Sequence, residues 1–181
     1  MNASLETQNF EIMSLYVKKA KQGDKEAFCT LIKMNKLSIY RVAKAILNKE
    51  EDVEDATSEA ILKAYKNLKK LKDDNFFKTW LTRIVINESN NILKKRSREI
   101  AVEKDHFINI KITDSYKDFT LYNAINSLDD ELRVTTILFY FEDMKYKDIA
   151  KTLDIKEGTV KSRLSRAKEK LHNILKEELY G

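Results

Sequence analysis

Apolar residues return at steps of three and four along most of this chain, which is the spacing of one buried face on an α-helix. Met13, Tyr16, Val17 and Ala20 mark a short first helix after Phe10, stopped by Gly23, a residue suited to a left-handed helix end. Residues 1–9 are polar and expected to be loose. Asp24 offers an N-cap to a second helix that carries Phe28, Leu31, Ile32, Ile39, Val42, Ala43 and Ile46 and ends near Asn48. A third helix is predicted from about Glu51 to Lys70, with Val53, Ala56, Ala60, Ile61, Ala64 and Leu68 inward. A fourth, from Phe77 to Arg96, has Phe77, Trp80, Leu81, Ile84, Val85 and Ile92 as its stripe. The period then fails. Over residues 97–118 acids and bases intermix, and Ile108, Ile110 and Ile112 alternate with Asn109 and Lys111 in a strand-like way. A lone strand needs a partner to be stable. These residues therefore read as an interdomain linker whose apolar side chains rest on a domain or await a partner. The helical period resumes in a short helix over Leu121–Ser127 and a longer one over Leu128–Phe141, opened by Asp129.

The stretch from Asp143 to Arg166 predicts two helices around a tight turn. Ile149, Ala150 and Leu153 face inward on the first, and Val160, Leu164, Ala167 and Leu171 on the second. Only Asp154, Ile155 and Lys156 separate them, which is helix-turn-helix spacing. The second helix turns outward Lys161, Arg163, Arg166, Lys168 and Lys170, with Thr159, Ser162 and Ser165 among them. That mixture supplies charge for phosphates and forked or hydroxyl groups for base edges, although a solvated amphipathic helix has the same pattern.

Composition narrows the class. With 35% charged residues, three Gly and no Pro in 181 residues, an all-α protein with many exposed helix faces is expected, either one domain or two small ones. A pI of about 9.0 suits a polyanion partner. The charge is uneven: residues 1–96 hold 19 basic against 13 acidic residues, 97–118 hold four against five, and 119–181 hold 11 of each. The C-terminal part is thus basic only locally, on its recognition-like helix. Cys29 has no partner for an intrachain disulfide and is read as a small core residue, in keeping with a reducing cytoplasm. His106 and His172 lack neighbouring metal-ligand types, so no metal or other cofactor is expected. No segment has the length and apolarity of a signal peptide or membrane span, so a soluble chain is expected.

Two further faces carry candidate chemistry. The third helix gathers Glu51, Asp52, Glu54, Asp55 and Glu59 at its start and Lys63, Lys66, Lys69 and Lys70 at its end. The helix macrodipole favours that arrangement by itself. A protein-docking face made by Asp52, Asp55 and Glu59, three and four residues apart, is the alternative. On the fourth helix Arg83, Asn87, Asn91 and Lys94 share a side. Asparagine is a poor helix-interior residue, so its cluster reflects either selection for base-edge contacts or an AT-rich coding bias. Trp80 and Phe77 belong to the apolar stripe, whereas Phe76 is less easily placed inside.

In this order and spacing, three segments resemble the extracytoplasmic-function group of bacterial sigma-70 family sigma factors. Glu54-Asp55-Ala56 through Ala64-Tyr65 looks like region 2.2 of that family. Phe77-Lys78-Thr79-Trp80-Leu81-Thr82-Arg83-Ile84 with Asn87 looks like regions 2.3 and 2.4, and Tyr146 through Arg166, with Glu157-Gly158-Thr159-Val160-Lys161-Ser162-Arg163-Leu164, like region 4.2. The resemblance implies two small helical domains, residues 1–96 and 119–181, joined by the linker 97–118. It implies that Asp52, Asp55 and Glu59 dock on the β′ clamp helices of core RNA polymerase, with the β flap as a further contact of the subunit. Lys72, Phe76, Arg83, Asn87 and Asn91 would bind the −10 element, where a base is held out of the stack. Thr159, Lys161, Ser162, Arg163 and Arg166 would bind the −35 element as duplex. The family also implies a membrane-anchored anti-sigma factor, a cytoplasmic location and response to an envelope signal. Three positions depart from its pattern: Ser58 stands where Gln is frequent, Lys145 replaces the usual Ser or Thr cap, and Asp154 replaces the turn Gly. Asp tolerates the left-handed conformation, so the turn is expected to persist. A dimeric helix-turn-helix repressor would not need the N-terminal module. An enzyme would need a phosphate-cradling Gly loop, a metal pair or an activated nucleophile, none of which the sequence offers.

Overall fold

The computed structural model describes residues 3–102 and 121–180, and it is helical with no strand among them. The chain divides into two compact units, residues 1–90 and 91–181.

The first unit is built on α1 (Ala3–Lys21), α2 (Lys25–Ile46), α3 (Glu50–Asn67) and the start of α4 (Phe77–Val102). Helix α1 begins earlier than expected. No Gly or Pro interrupts residues 3–9, so the helix extends back through them. Gly23 closes it with φ 102°, and the Asp24 N–H donates to the Lys19 carbonyl at 3.2 Å. Asp24 then caps α2, its Oδ1 accepting from the Ala27 N–H at 2.9 Å. The core combines Val17, Phe28, Leu31, Val42, Leu47 and Phe77 with the small residues Ala56, Ala60 and Ala64 of α3, which let its neighbours approach closely. Ile32, Ile61 and Ile84, expected inward, are only half-buried at the edges of their stripes. Cys29 is exposed rather than a core residue, because the buried face of α2 runs through Ala27, Phe28 and Leu31 and turns it outward.

The second unit contains α5 (Leu121–Asn126), α6 (Asp130–Tyr140), α7 (Tyr146–Leu153) and α8 (Glu157–Tyr180). Leu128, Leu132 and Ala167 form one buried cluster, with Leu171 packed against it. Ile137, Leu138, Ile149, Val160 and Leu164 are also buried. Between α7 and α8, Asp154 adopts the left-handed conformation at φ 54° and ψ 49°, and the Ile155 N–H returns to the Ala150 carbonyl at 2.9 Å. The turn therefore persists without glycine. Lys145 starts α7 with no side-chain cap; its carbonyl accepts from the Asp148 and Ile149 N–H groups instead.

Helix α4 continues to Val102, past the expected start of the linker at residue 97. Ile108, Ile110 and Ile112 lie outside the described residues.

Candidate nucleic-acid interface

The approach to α4 is held from below. Lys21, at the end of α1, donates to the Leu71 carbonyl at 2.6 Å and forms an ion pair with Asp74. Asp73 Oδ1 accepts from the Asn75 N–H at 3.0 Å, which closes a 3₁₀ turn over Asp74–Phe76. Leu71 is buried by this loop, while Lys72 stays in solvent. Phe76 is 55% exposed although Phe77 beside it is fully buried. An apolar ring this open, on a loop fixed by an ion pair, is available to stack on a planar partner.

On α4 itself Leu81, Thr82, Val85, Ile86, Glu88 and Ser89 are buried. Asn87 and Asn91 are exposed on the other side and Arg83 is half-buried between them and the core. The buried polar groups are satisfied. Glu88 pairs with Lys63 of α3 at 2.6 Å, and the Ser89 hydroxyl donates to the Val85 carbonyl at 2.9 Å. Of the three acids expected to form one docking face on α3, Asp55 and Glu59 are exposed, whereas Asp52 is 6% exposed. Asp52 precedes Val53, on the inner side of the helix, so its carboxylate does not belong to the outer acidic face.

The helix-turn-helix divides its charges more sharply. Val160, Leu164, Ala167 and Leu171 define the inner side of α8. Directly opposite, Ser162, Ser165 and Arg166 are exposed. Lys161 is exposed as well, with its ammonium 5.8 Å from the Tyr146 ring centroid. Tyr146 in turn stacks on Phe139, centroids 5.1 Å apart, so this cation rests on a fixed aromatic pair. Thr159 is half-buried, and its carbonyl accepts from the Ser162 hydroxyl at 3.0 Å. Arg163 does not share the outward face. Its side chain is 12% exposed and its guanidinium pairs with Glu131 of α6 at 2.7 Å. The physical reason is helical angle: Arg163 flanks the buried stripe on the side where α6 packs.

Other cations of α8 meet the same acidic turn. Lys170 pairs with Asp129 at 2.5 Å, and this hydrogen bond is the main cause of the lowered pKa of Asp129, helped by the Lys170 charge and by Arg166. Arg133, buried, ties that turn together. It donates to the Asn126 and Leu128 carbonyls at 3.1 and 3.0 Å and pairs with Asp130 at 2.6 Å.

The sequence pattern had marked the outward residues of both helices but not the groups that hold them: Lys21, Lys63, Glu88, Glu131 and Arg133. Except for Arg133, whose partners lie three to seven residues away, their partners are remote, up to 53 residues away, and no local pattern links them. Ser165 joins Ser162 and Arg166 on the outward face of α8, to one side of Ser162. Among the described residues no cluster of His, Cys, Asp and Glu could hold a metal ion, and no helix is long and apolar enough to cross a membrane.

A helical unit ending in α4 and a second unit built around a helix-turn-helix have the organisation of a two-domain subunit of the sigma-70 type. Family models agree with both halves: Sigma-70 region 2 matches residues 31–99, and Sigma-70, region 4 matches residues 118–171. The chain is 30% identical over 176 residues to the RNA polymerase sigma-H factor of Pseudomonas aeruginosa, covering 88% of this chain and 91% of that protein. It is also 30% identical over 165 residues to the RNA polymerase sigma factor SigV of Bacillus subtilis, covering 89% and 99%. Among solved structures, the sigma factor RpoE of Bartonella quintana, crystallised with the anti-sigma factor NepR, superposes with a TM-score of 0.69 at 26% identity, over 82% of this chain and 96% of that one. The chain belongs to the extracytoplasmic-function group of the sigma-70 family. It is a transcription initiation factor that binds core RNA polymerase and directs it to promoter DNA.

Proposed function

We propose that the two units divide promoter recognition between them. The α4 face of Arg83, Asn87 and Asn91, with Lys72 and Phe76 on the loop before it, binds the −10 element and holds an extruded base, an operation that costs a few kcal/mol of unstacking. The α8 face of Thr159, Lys161, Ser162, Ser165 and Arg166 reads the −35 duplex. Asp55 and Glu59 of α3 dock on the β′ clamp helices of core polymerase. Asp52 supports that helix from within. The subunit has no chemistry of its own, works in the cytoplasm and is restrained by an anti-sigma factor that an envelope signal releases, in line with the complex formed by the Bartonella relative. The observation that carries this reading is the exposed Phe76 ring on a loop clamped by Lys21, immediately before an outward Asn face.

The test is run-off transcription by core polymerase with the purified chain on its cognate promoter. Wild-type protein is expected to give a discrete product. Phe76→Ala and Asn87→Ala are expected to reduce it on duplex template and to recover on template pre-opened across the −10 element, because the cost of opening has then been removed. Unchanged run-off by both variants on closed duplex overturns the assignment of that face.

A further inference from the structure

The charged residues between α6 and α8 form more than a solubilising surface. Arg133 fixes the turn that opens α6, through two carbonyls and Asp130. From that fixed turn two acids reach α8: Asp129 to Lys170 at 2.5 Å and Glu131 to Arg163 at 2.7 Å. The two cations are seven residues apart, about 10 Å along the helix axis. The buried stripe of Val160, Leu164 and Ala167 sets which side of α8 faces inward, and the two ion pairs on one flank hold that orientation to the opening of α6 at two heights along the helix. The pairs differ in strength. Lys170 and Asp129 are both largely exposed, where an ion pair contributes little. Arg163 is nearly covered, and its Nε is buried with no hydrogen-bond partner among the described residues, so the Glu131 carboxylate is what compensates its charge.

We propose that Glu131 is a positioning residue for upstream promoter recognition: through Arg163 it holds the orientation of α8, so that Lys161, Ser162, Ser165 and Arg166 reach base edges in register. Arg163 is accordingly a strut and not a reader of DNA. Three cations, Arg163, Arg166 and Lys170, lie at offsets of three and four along one flank of α8, and the outer two are engaged by α6. Arg166 lies between them and is exposed; its Nε makes a long 3.4 Å contact to the Ser162 carbonyl, and its charge adds to the field on Asp129 without forming an ion pair of its own there. It is the one placed to leave the flank and enter a groove. The proposal rests on the assignment of α8 to the −35 duplex, and the experiment separates the two.

The measurement is the affinity of the full chain, assembled with core polymerase, for a promoter whose −35 element is intact against one in which it is scrambled. Glu131→Arg and Arg163→Glu are each expected to reduce this discrimination by about tenfold or more, and the double swap Glu131→Arg/Arg163→Glu to restore most of it, as a double-mutant cycle requires of a direct pair. Glu131→Gln, which keeps shape and loses charge, is expected to fall between, and serves if a reversal fails to fold. Arg166→Ala is the control and should lose discrimination with no rescue by either swap. A double swap as defective as Arg163→Glu alone makes Arg163 a direct reader and overturns the proposal. Unchanged discrimination in Glu131→Arg and Glu131→Gln, with Arg166→Ala defective, overturns it too. Unchanged discrimination in Arg166→Ala overturns the α8 assignment, and the proposal falls with it.

Discussion

Helices α4 and α8 are both held by an ion pair to the helix behind them, and the pairs have opposite polarity. In the first unit α4 contributes the acid: Glu88, next to the outward Asn87, turns inward to Lys63 of α3. In the second α8 contributes the base: Arg163, next to the outward Ser162, turns sideways to Glu131 of α6. The consequence for a DNA-facing surface is different in each case. Pinning by Glu88 removes a negative charge from the neighbourhood of a phosphate backbone, so anchoring and binding favour the same geometry. Pinning by Arg163 withdraws a cation that could have met a phosphate. A count of Lys and Arg along α8 therefore overstates its reach toward DNA, whereas the same count on α4 understates how well that face tolerates phosphates.

The comparison can be broken most forcefully at the core. Phe77, fully buried at the start of α4, has no equally buried aromatic counterpart among the described residues of the second unit. Phe77→Ala should destabilise the first unit by about 3–5 kcal/mol. Trp80 is the only tryptophan and lies one helical turn from Phe77, ring centroids 6.0 Å apart, so its fluorescence in a urea titration follows that unit. Binding to a −35 duplex should survive under conditions where the Trp80 signal has already changed. Loss of both together would show that the two units unfold as one. A smaller and more specific test is Lys63→Met, which takes the cation from the buried Glu88 carboxylate. A cost of about 1–3 kcal/mol is expected for a buried group that loses a charged partner. It should appear in the Trp80 transition without altering −35 discrimination, and an unmoved midpoint would mean that α4 is pinned by packing alone.

The smallest effect concerns pH. Lys170 lowers the pKa of Asp129 below its ordinary value of 3.8. A group whose folded pKa is depressed adds stability above its unfolded pKa and loses it as pH falls through the folded value. Wild type and Lys170→Met should therefore differ slightly in melting temperature at pH 7, and the difference should shrink as pH falls below 3.8 and through the depressed pKa of Asp129, as followed by circular dichroism. A difference that did not shrink on acidification would trace to the Lys170 stem packing and not to its charge.

Much of the fold could be read from the sequence because each helix declares its own inner face at steps of three and four. Val53, Ala56, Ala60 and Ala64 are all buried as that spacing predicts, and Asp154 holds the left-handed turn in place of glycine. Two side chains turn inward where the local pattern leaves the direction open: Asp52 and Arg163 each sit about a quarter-turn from the centre of a buried stripe, whereas Cys29 lies over a third of a turn from its own and is exposed as that angle requires. Burial there is decided by what packs alongside, and that partner is remote in sequence: Glu131 is 32 residues before Arg163. Phe76 and Phe77 show the favourable case, because the helical stripe begins at Phe77 and leaves its neighbour on the loop.

Cys29 stands in solvent on α2, and the sequence has no other thiol. A maleimide dye will therefore modify the native chain once, at a known place, with no cysteine to remove first. Helix α2 holds none of the residues assigned to promoter DNA or to the β′ clamp, so the label leaves those surfaces bare. Quenching between that dye and Trp80 would give an optical record of the first unit alone, against which polymerase capture, release from an anti-sigma factor and opening of the −10 element could each be timed.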